Sequence, residues 1–333
     1  MRTAFIKALT ACAQADPRIT LVTGDLGFGV VTDFARDLPG QYVNAGVAEQ
    51  NMTGLAAGLA HSGRIVVTYS IANFPTLRAL EQIRNDICAP RANVKVVSVG
   101  GGFAYGPLGA SHHATEDLAV MRALPGMTVI APNDPEEARQ VTAAALALDG
   151  PCYLRLGRAG EPAVHQGPVA LTLGRALVAR QGSDLTLVAT GGMLHTAMHV
   201  ATRLRDIGLS ARVLSMHTVR PLDREALLAA ARDTSALFTI EEHSVIGGLG
   251  SATAEVLLEA DERPAVFMRF GIRESDDAAI GSQEFLRARA GLDVDSITNG
   301  VVECLERVRH ARRQVSRARA RGRVRSSGAA AER

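Results

Sequence analysis

The 333-residue sequence contains no run of the ~18 or more apolar residues that a membrane-spanning helix requires. Apolar residues make up 47 % and charged residues 21 %, a balance that can build packed cores and excludes a disordered chain. The cysteines Cys12, Cys88, Cys152 and Cys304 form no CxxC pair. Neither a disulfide framework nor a thiolate zinc site follows from them, and a reducing, cytoplasmic setting fits best. Lysine is reduced to Lys7 and Lys95, so Schiff-base or pyridoxal chemistry would have to use one of two unpromising positions. No export signal is expected, because Lys7 interrupts the apolar stretch at the start of the chain. Phe5, Ile6, Leu9 and Cys12 fall instead on one side of a helix of period 3.6.

The length is about twice that of a usual domain of roughly 100 to 200 residues, which predicts two domains. Short β-branched runs alternate with Ala/Leu-rich helical stretches: Ile19 to Thr23, Tyr42 to Asn44, Arg64 to Tyr69, Val94 to Val99, Met127 to Ala131 and Cys152 to Leu156 are the expected strands. This is the βαβ pattern of a mostly parallel sheet with helices on both faces. Asp134-Pro135-Glu136-Glu137 predicts a helix start, with Asp134 as cap and the acids at the positive end. Gly157 to Pro168 has no periodicity and reads as a linker. A second alternating set has strands near 185–190, 211–215, 236–241 and 265–269. The predicted fold class is therefore α/β, two doubly wound domains at 1–165 and 170–308, followed by a basic tail over 309–333. From residue 305 on, ten arginines face two glutamates, a local +8 that leaves −6 for the rest of a chain with net charge +2. The tail has too few large apolar residues to order itself.

Three segments carry chemistry-bearing residues. Val22 to Gly29 leaves a strand with Gly24, Gly27 and Gly29, which lets backbone approach a ligand, but its spacing is not that of a dinucleotide-binding loop. Tyr42 to Ala60 turns from a strand into a helix whose first turn holds Glu49 among Gly and Ala. A lone carboxyl in such a setting can hold or donate a proton, or can simply complete a helix-capping arrangement. The small residues Gly54, Ala57 and Gly58 let that helix pack closely against another backbone. Gly100 to Asp117 is a loop of a length that usually has a function, with His112 and His113 near its end. Metal ligation by the two histidines lacks a third ligand at a recognisable spacing, so proton transfer or substrate contact by His112 is the reading preferred. His195 and His199 also have metal-like spacing and read rather as a surface helix face.

GDLG at 24–27, GVAEQNM at 46–52, LEQIRND at 80–86, ASHHATEDLAVMRALPGMTVIAP at 110–132 and LRLGR at 154–158 resemble the pyrimidine-binding domain of transketolase-like enzymes. VLSMHTVRPLD at 213–223 and IEEHSVIGGLG at 240–250 resemble their C-terminal domain. The family also needs a domain that binds the cofactor's diphosphate through magnesium, marked by a GDG run, and no GDG run occurs here. The resemblance therefore implies half of a split transketolase. A partner subunit would supply the diphosphate and Mg2+ site, in a heterotetramer of two copies of each.

By the same resemblance, Glu49 corresponds to the glutamate that hydrogen-bonds the aminopyrimidine ring of thiamine diphosphate. Asp25 and Leu26 correspond to positions near the cofactor, and Phe74 to an aromatic of the pyrimidine pocket. Ile71 stands where a stacking phenylalanine is usual. His112, with His113, would contact the substrate, and Arg158 would grip a sugar phosphate. Leu108 replaces an aspartate and Gly100 a histidine of the sugar transketolases, which makes the pocket less polar and leaves the donor open. Two other readings stand beside this one. The beta subunit of a 2-oxoacid dehydrogenase has the same two domains, and a noncatalytic regulatory subunit would keep the fold while being free to lose Glu49 and His112.

Overall fold

Strands that are apolar on both faces need a helical layer on each side, and this requirement shapes both sheets of the computed structural model. It describes residues 1–274 and 279–310; the expected basic tail lies, beyond His310, outside the described residues. The first helix forms as α1 (Arg2–Ala15) and buries Phe5, Ile6, Leu9 and Ala13, with Cys12 half-buried. Then come β1 (Ile19–Thr23), α2 (Thr32–Asp37), β2 (Tyr42–Asn44), α3 (Glu49–His61) and β3 (Ile65–Ile71). They are followed by α4 (Leu80–Gln82), which continues as a π-helical turn Ile83–Cys88, and by β4 (Val94–Val99). The first half closes with α5 (Asp117–Ala123), β5 (Thr128–Ile130), α6 (Pro135–Ala147) and β6 (Cys152–Leu156). Asp134 caps α6 as expected, accepting from Glu137 N–H at 2.9 Å.

The second half runs β7 (Leu177–Arg180), β8 (Leu185–Thr190), α7 (Leu194–Asp206), β9 (Ala211–Ser215) and β10 (Thr218–Arg220). It goes on through α8 (Arg224–Asp233), β11 (Ala236–Ser244), α9 (Leu249–Glu259), β12 (Val266–Ile272) and α10 (Gln283–Arg289). A last helix over 294–310 packs Ile297, Val301 and Cys304 into the core of the second sheet.

The first sheet has the order β10-β5-β6-β4-β3-β1-β2, parallel except for β10, which pairs antiparallel with β5. The second has the order β12-β11-β8-β9-β7, parallel except for the β7 edge. The two short antiparallel edges, β7 and β10, went unpredicted. β10 follows the second half's β9 in sequence yet completes the first sheet, where Arg220 donates to the carbonyls of Arg122 and Leu124. Each sheet has a core on either side: Leu21, Val67 and Leu154 on one face of the first, Val66, Val96 and Tyr153 on the other.

The linker segment after β6 is tied to both halves. Asp134 Oδ2 accepts from Val164 and His165 N–H, while Glu137 Oε1 receives His165 Nε2 at 2.9 Å and the Ser215 hydroxyl at 2.5 Å. Asp134, Glu137 and His165 lie close enough to hold an ion, but these oxygens are already occupied by N–H and O–H donors.

The order of each sheet creates a crevice. In the first, the chain leaves β1 towards β2 and returns to β3 on the other side, so the loops after β1 and β3 diverge at the carboxyl ends of adjacent strands. In the second, the same reversal separates β8 from β11. Doubly wound sheets place ligands at such switch points.

Candidate active site at the first switch point

Two non-glycine residues with left-handed backbone mark the first crevice: Asp25 (φ 54°), two residues past the end of β1, and Ala72 (φ 40°), directly after β3. Such conformations persist only where surrounding bonds impose them. The Ala72 carbonyl accepts from the Ser98 hydroxyl at 2.8 Å and the Thr76 hydroxyl at 3.1 Å. At Asp25, Asn44 donates to Oδ1 at 2.8 Å, and its own Oδ1 accepts from Asp25 N–H at 3.1 Å and Gly46 N–H at 3.0 Å. One side chain at the end of β2 thus fixes both loops that flank the start of α3.

Glu49 opens α3 with 1 % of its surface exposed. It does not cap its own helix. Its Oε2 accepts from Arg78 Nη1 at 2.8 Å, and its Oε1 faces Gly24, where a Cβ would stand 3.7 Å away. The Arg78 guanidinium lies 4.6 Å over the centre of the Phe74 ring. Phe74 in turn meets the His112 ring edge-on, at 5.1 Å between centroids. Glu49, Arg78, Phe74 and His112 therefore form one continuous chain of contacts, drawn from α3, the loop after β3 and the histidine loop.

The other expected positions fall around or beyond this chain. Leu26 is half-buried and packs on the core below β1, and Ile71 is half-buried at the end of β3. His113 points elsewhere than His112: its ring meets the Gly106 carbonyl at 3.2 Å and the edge of Phe103 at 5.3 Å. Arg158 is exposed beyond the end of β6, and its charge is among those that hold the Glu284 carboxyl on α10 below its ordinary pKa. Leu108 is 55 % exposed. Gly100 has φ +92°, and a Cβ there would lie 2.2 Å from the Tyr105 ring, so Tyr105 fills the space a side chain at 100 would need. His195 and His199 lie on the exposed face of α7, their Nε2 atoms 3.1 Å apart. Lys95 sits at the opposite, amino end of β4, its ammonium donating to the Leu148 and Gly150 carbonyls and its pKa pushed down by burial to about 8.

Sequence reasoning missed Arg78, Asn44 and Tyr105. Arg78 has no motif of its own and is visible only as a base just before the LEQIRND stretch; Asn44 reads as a strand end.

A buried carboxyl beside an aromatic face, met by a flat N–H-donating cation, has the chemistry to receive a planar N–H-donating group. Comparison with known proteins identifies the class. The model of the transketolase pyrimidine-binding domain matches residues 1–161, and that of the transketolase C-terminal domain matches residues 174–297. The chain belongs to the transketolase family, whose members depend on thiamine diphosphate. It is 38 % identical over 308 residues to one subunit of an apulose-4-phosphate transketolase from Phocaeicola vulgatus, covering 92 % of this chain and 97 % of that one. It is likewise 38 % identical to a 6-deoxy-6-sulfo-D-fructose transketolase subunit, SqwH, from a Clostridium species, covering 92 % and 95 %. A solved structure of a split gene transketolase, an inactive beta4 tetramer, superposes with a TM-score of 0.82 at 40 % identity, covering 92 % and 97 %. In extent, the chain corresponds to the C-terminal half of a two-chain transketolase, which implies a second, N-terminal subunit as partner.

Proposed function

We propose that this chain carries the pyrimidine side of a thiamine diphosphate site shared with its partner, and that the assembled pair transfers a two-carbon ketol unit between a ketose donor and an aldehyde acceptor. The observation that carries this reading is the buried Glu49 carboxylate at the switch point, held by a guanidinium stacked on Phe74. A flat, N–H-donating group already sits on that aromatic face, so the residues present fit an aminopyrimidine ring.

Thiamine diphosphate, when bound, would supply the carbon nucleophile that a ketol exchange between ketose and aldehyde requires, with no net oxidation. Glu49 holds or gives a proton at the ring nitrogen, from a setting where water does not compete. For that, its carboxyl must exchange Arg78 for the ring. Phe74 and Ile71 supply apolar surface to the ring, with Leu26 and Asp25 on the β1 side. His112 moves a proton at the substrate's reacting oxygens and Arg158 serves the substrate's distal end, while His113, its ring on the Gly106 carbonyl, shapes the loop that carries His112. Mg2+ and the diphosphate belong to the partner subunit, and two copies of each chain form the working assembly in the cytoplasm.

The Phocaeicola and Clostridium relatives are subunits of an apulose-4-phosphate transketolase and a 6-deoxy-6-sulfo-D-fructose transketolase. Leu108 and Gly100, standing where the resemblance expects an aspartate and a histidine, remove two polar groups from the expected donor contacts, which supports a modified ketose as donor here as well. The test is to combine the chain with its candidate partner, thiamine diphosphate and Mg2+, and to follow ketol transfer. Each chain alone is expected to be inactive, and Glu49→Ala to abolish transfer by the pair without unfolding the chain. Undiminished transfer by the partner alone would overturn the reading.

A further inference from the structure

The crevice of the second sheet is filled by the first half of the chain. At the end of β11 stands Glu242, 1 % exposed, whose Oε1 accepts from the Phe103 backbone N–H at 2.9 Å. Phe103 is the first residue inside the histidine loop, whose neck is closed by reciprocal bonds between Gly102 and Ala114 at 2.8 and 3.0 Å. At the loop's exit, Arg155 Nη2 donates to the Ala114 carbonyl at 2.7 Å and to the Glu242 carbonyl at 2.9 Å. The same guanidinium is anchored by Asp117 at 2.9 Å, on the helix that follows the loop. From the other side, Arg287 of α10 donates to Glu242 Oε2 at 2.6 Å.

The fit is tight at the neck. A Cβ on Gly102 would lie 2.6 Å from the Glu242 carboxyl carbon, and one on Gly101 would lie 2.5 Å from Arg155. A cavity of only about 20 Å3 remains between Gly101, Arg155 and Glu242 and the ends of the second sheet. The place where a doubly wound sheet ordinarily receives a ligand is thus taken by a loop of the same chain.

We infer that the C-terminal domain contributes to ketol transfer by gripping the histidine loop in its own switch-point crevice, with Glu242 as the positioning residue for His112. The inference rests on the proposed role of His112 at the substrate. The physical reason for such a grip is the length of the loop. An eleven-residue excursion from 103 to 113, carrying two short 3-10 turns and no further ladder, has many conformations open to it unless its neck is fixed. Beyond the two neck bonds, Asn73 Nδ2 donates to the His113 carbonyl at the loop's far side. Glu242 adds a charged acceptor at the entry, and Arg155 ties its backbone to the exit, so that the neck is held to a rigid strand end.

The test uses the assembled pair with thiamine diphosphate and Mg2+. Glu242→Ala is expected to lower kcat/KM for the ketose donor by about 100-fold, the scale of a misplaced catalytic group. Half-saturation by thiamine diphosphate should stay within about twofold, since the Glu49 seat does not touch Glu242. Glu242→Gln keeps an acceptor for Phe103 N–H and should recover most of the loss. Glu242→Ala/His112→Ala should be no slower than His112→Ala, because a residue that acts only through His112 has nothing left to position. Amide exchange should rise in residues 102–114 and stay unchanged in α3. Should Glu242→Ala not fold, Arg287→Met removes the charged donor while Gln283 of α10 still bonds both carboxylate oxygens at 3.0 Å, and it should give a smaller loss, about 3- to 10-fold, that also vanishes without His112. An equal loss with and without His112, or loop exchange no faster than in the wild type, overturns the inference. Absence of ketol transfer in the wild-type pair would sink the functional reading instead, and the exchange measurement would still decide whether Glu242 grips the loop.

Discussion

Replacing Arg78 by methionine isolates the contact that most directly governs the Glu49 carboxyl. Glu49 is buried and Arg78 is 49 % exposed, so the pair stands between two limits. Breaking a fully buried pair costs about 3–5 kcal/mol, and a surface pair is worth about 0.2–1 kcal/mol. Adding the guanidinium's stacking on Phe74, we expect Arg78→Met to destabilise the free chain by about 2 kcal/mol. At about 2–4 °C per kcal/mol this lowers the Tm by roughly 4–8 °C. Glu49→Gln removes the charge that needs the cation, so the double variant Glu49→Gln/Arg78→Met should lose less than the sum of the two, with a coupling of about 1–2 kcal/mol. In the assembled pair the sign reverses for the cofactor. On the proposed function, Arg78 and the pyrimidine ring compete for one carboxyl and one aromatic face, so removing the competitor should tighten thiamine diphosphate binding by about 5- to 30-fold, the equivalent of 1–2 kcal/mol. Calorimetric titration suits this measurement, since the chain has no tryptophan to report on binding. Additive stabilities, or weaker cofactor binding in Arg78→Met, would show that Arg78 is not a stand-in for the ring.

The linker latch should respond to pH. The bond to Glu137 holds the His165 pKa above its ordinary value of 6.5, so the stabilisation is fully present below about pH 6.5 and is lost as pH rises through the raised value. The Tm difference between wild type and His165→Gln should therefore be largest near pH 6 and shrink towards pH 9 in a buffered thermal series; a difference that grows with pH would contradict the assignment. Gly100→Ala combines a disfavoured φ of +92° with a Cβ 2.2 Å from the Tyr105 ring, and urea unfolding should show a loss of about 2–4 kcal/mol. Gly100→Ala/Tyr105→Ala should not lose more stability on account of that clash, and a cost below about 0.5 kcal/mol for Gly100→Ala would mean that Tyr105 does not hold this position.

Much of this protein was legible from residue order. The β-branched runs of the parallel strands, the capped start of α6 at Asp134 and the break after β6 are local signals, because propensity, capping and turn chemistry act over a few neighbouring residues. Glu49 in the first turn of a small-residue helix and His112 in a long loop were legible for the same reason, as was the resemblance that named the cofactor. What only the tertiary structure decided is who meets whom across the chain. Arg78 reaches Glu49 over 29 residues and Glu242 reaches Phe103 over 139. β10 leaves the half of the chain in which it is encoded to pair with β5. Contacts at such separations are selected by the strand order of the sheets and by the burial of charge against a partner, and neither leaves a periodic trace in the sequence.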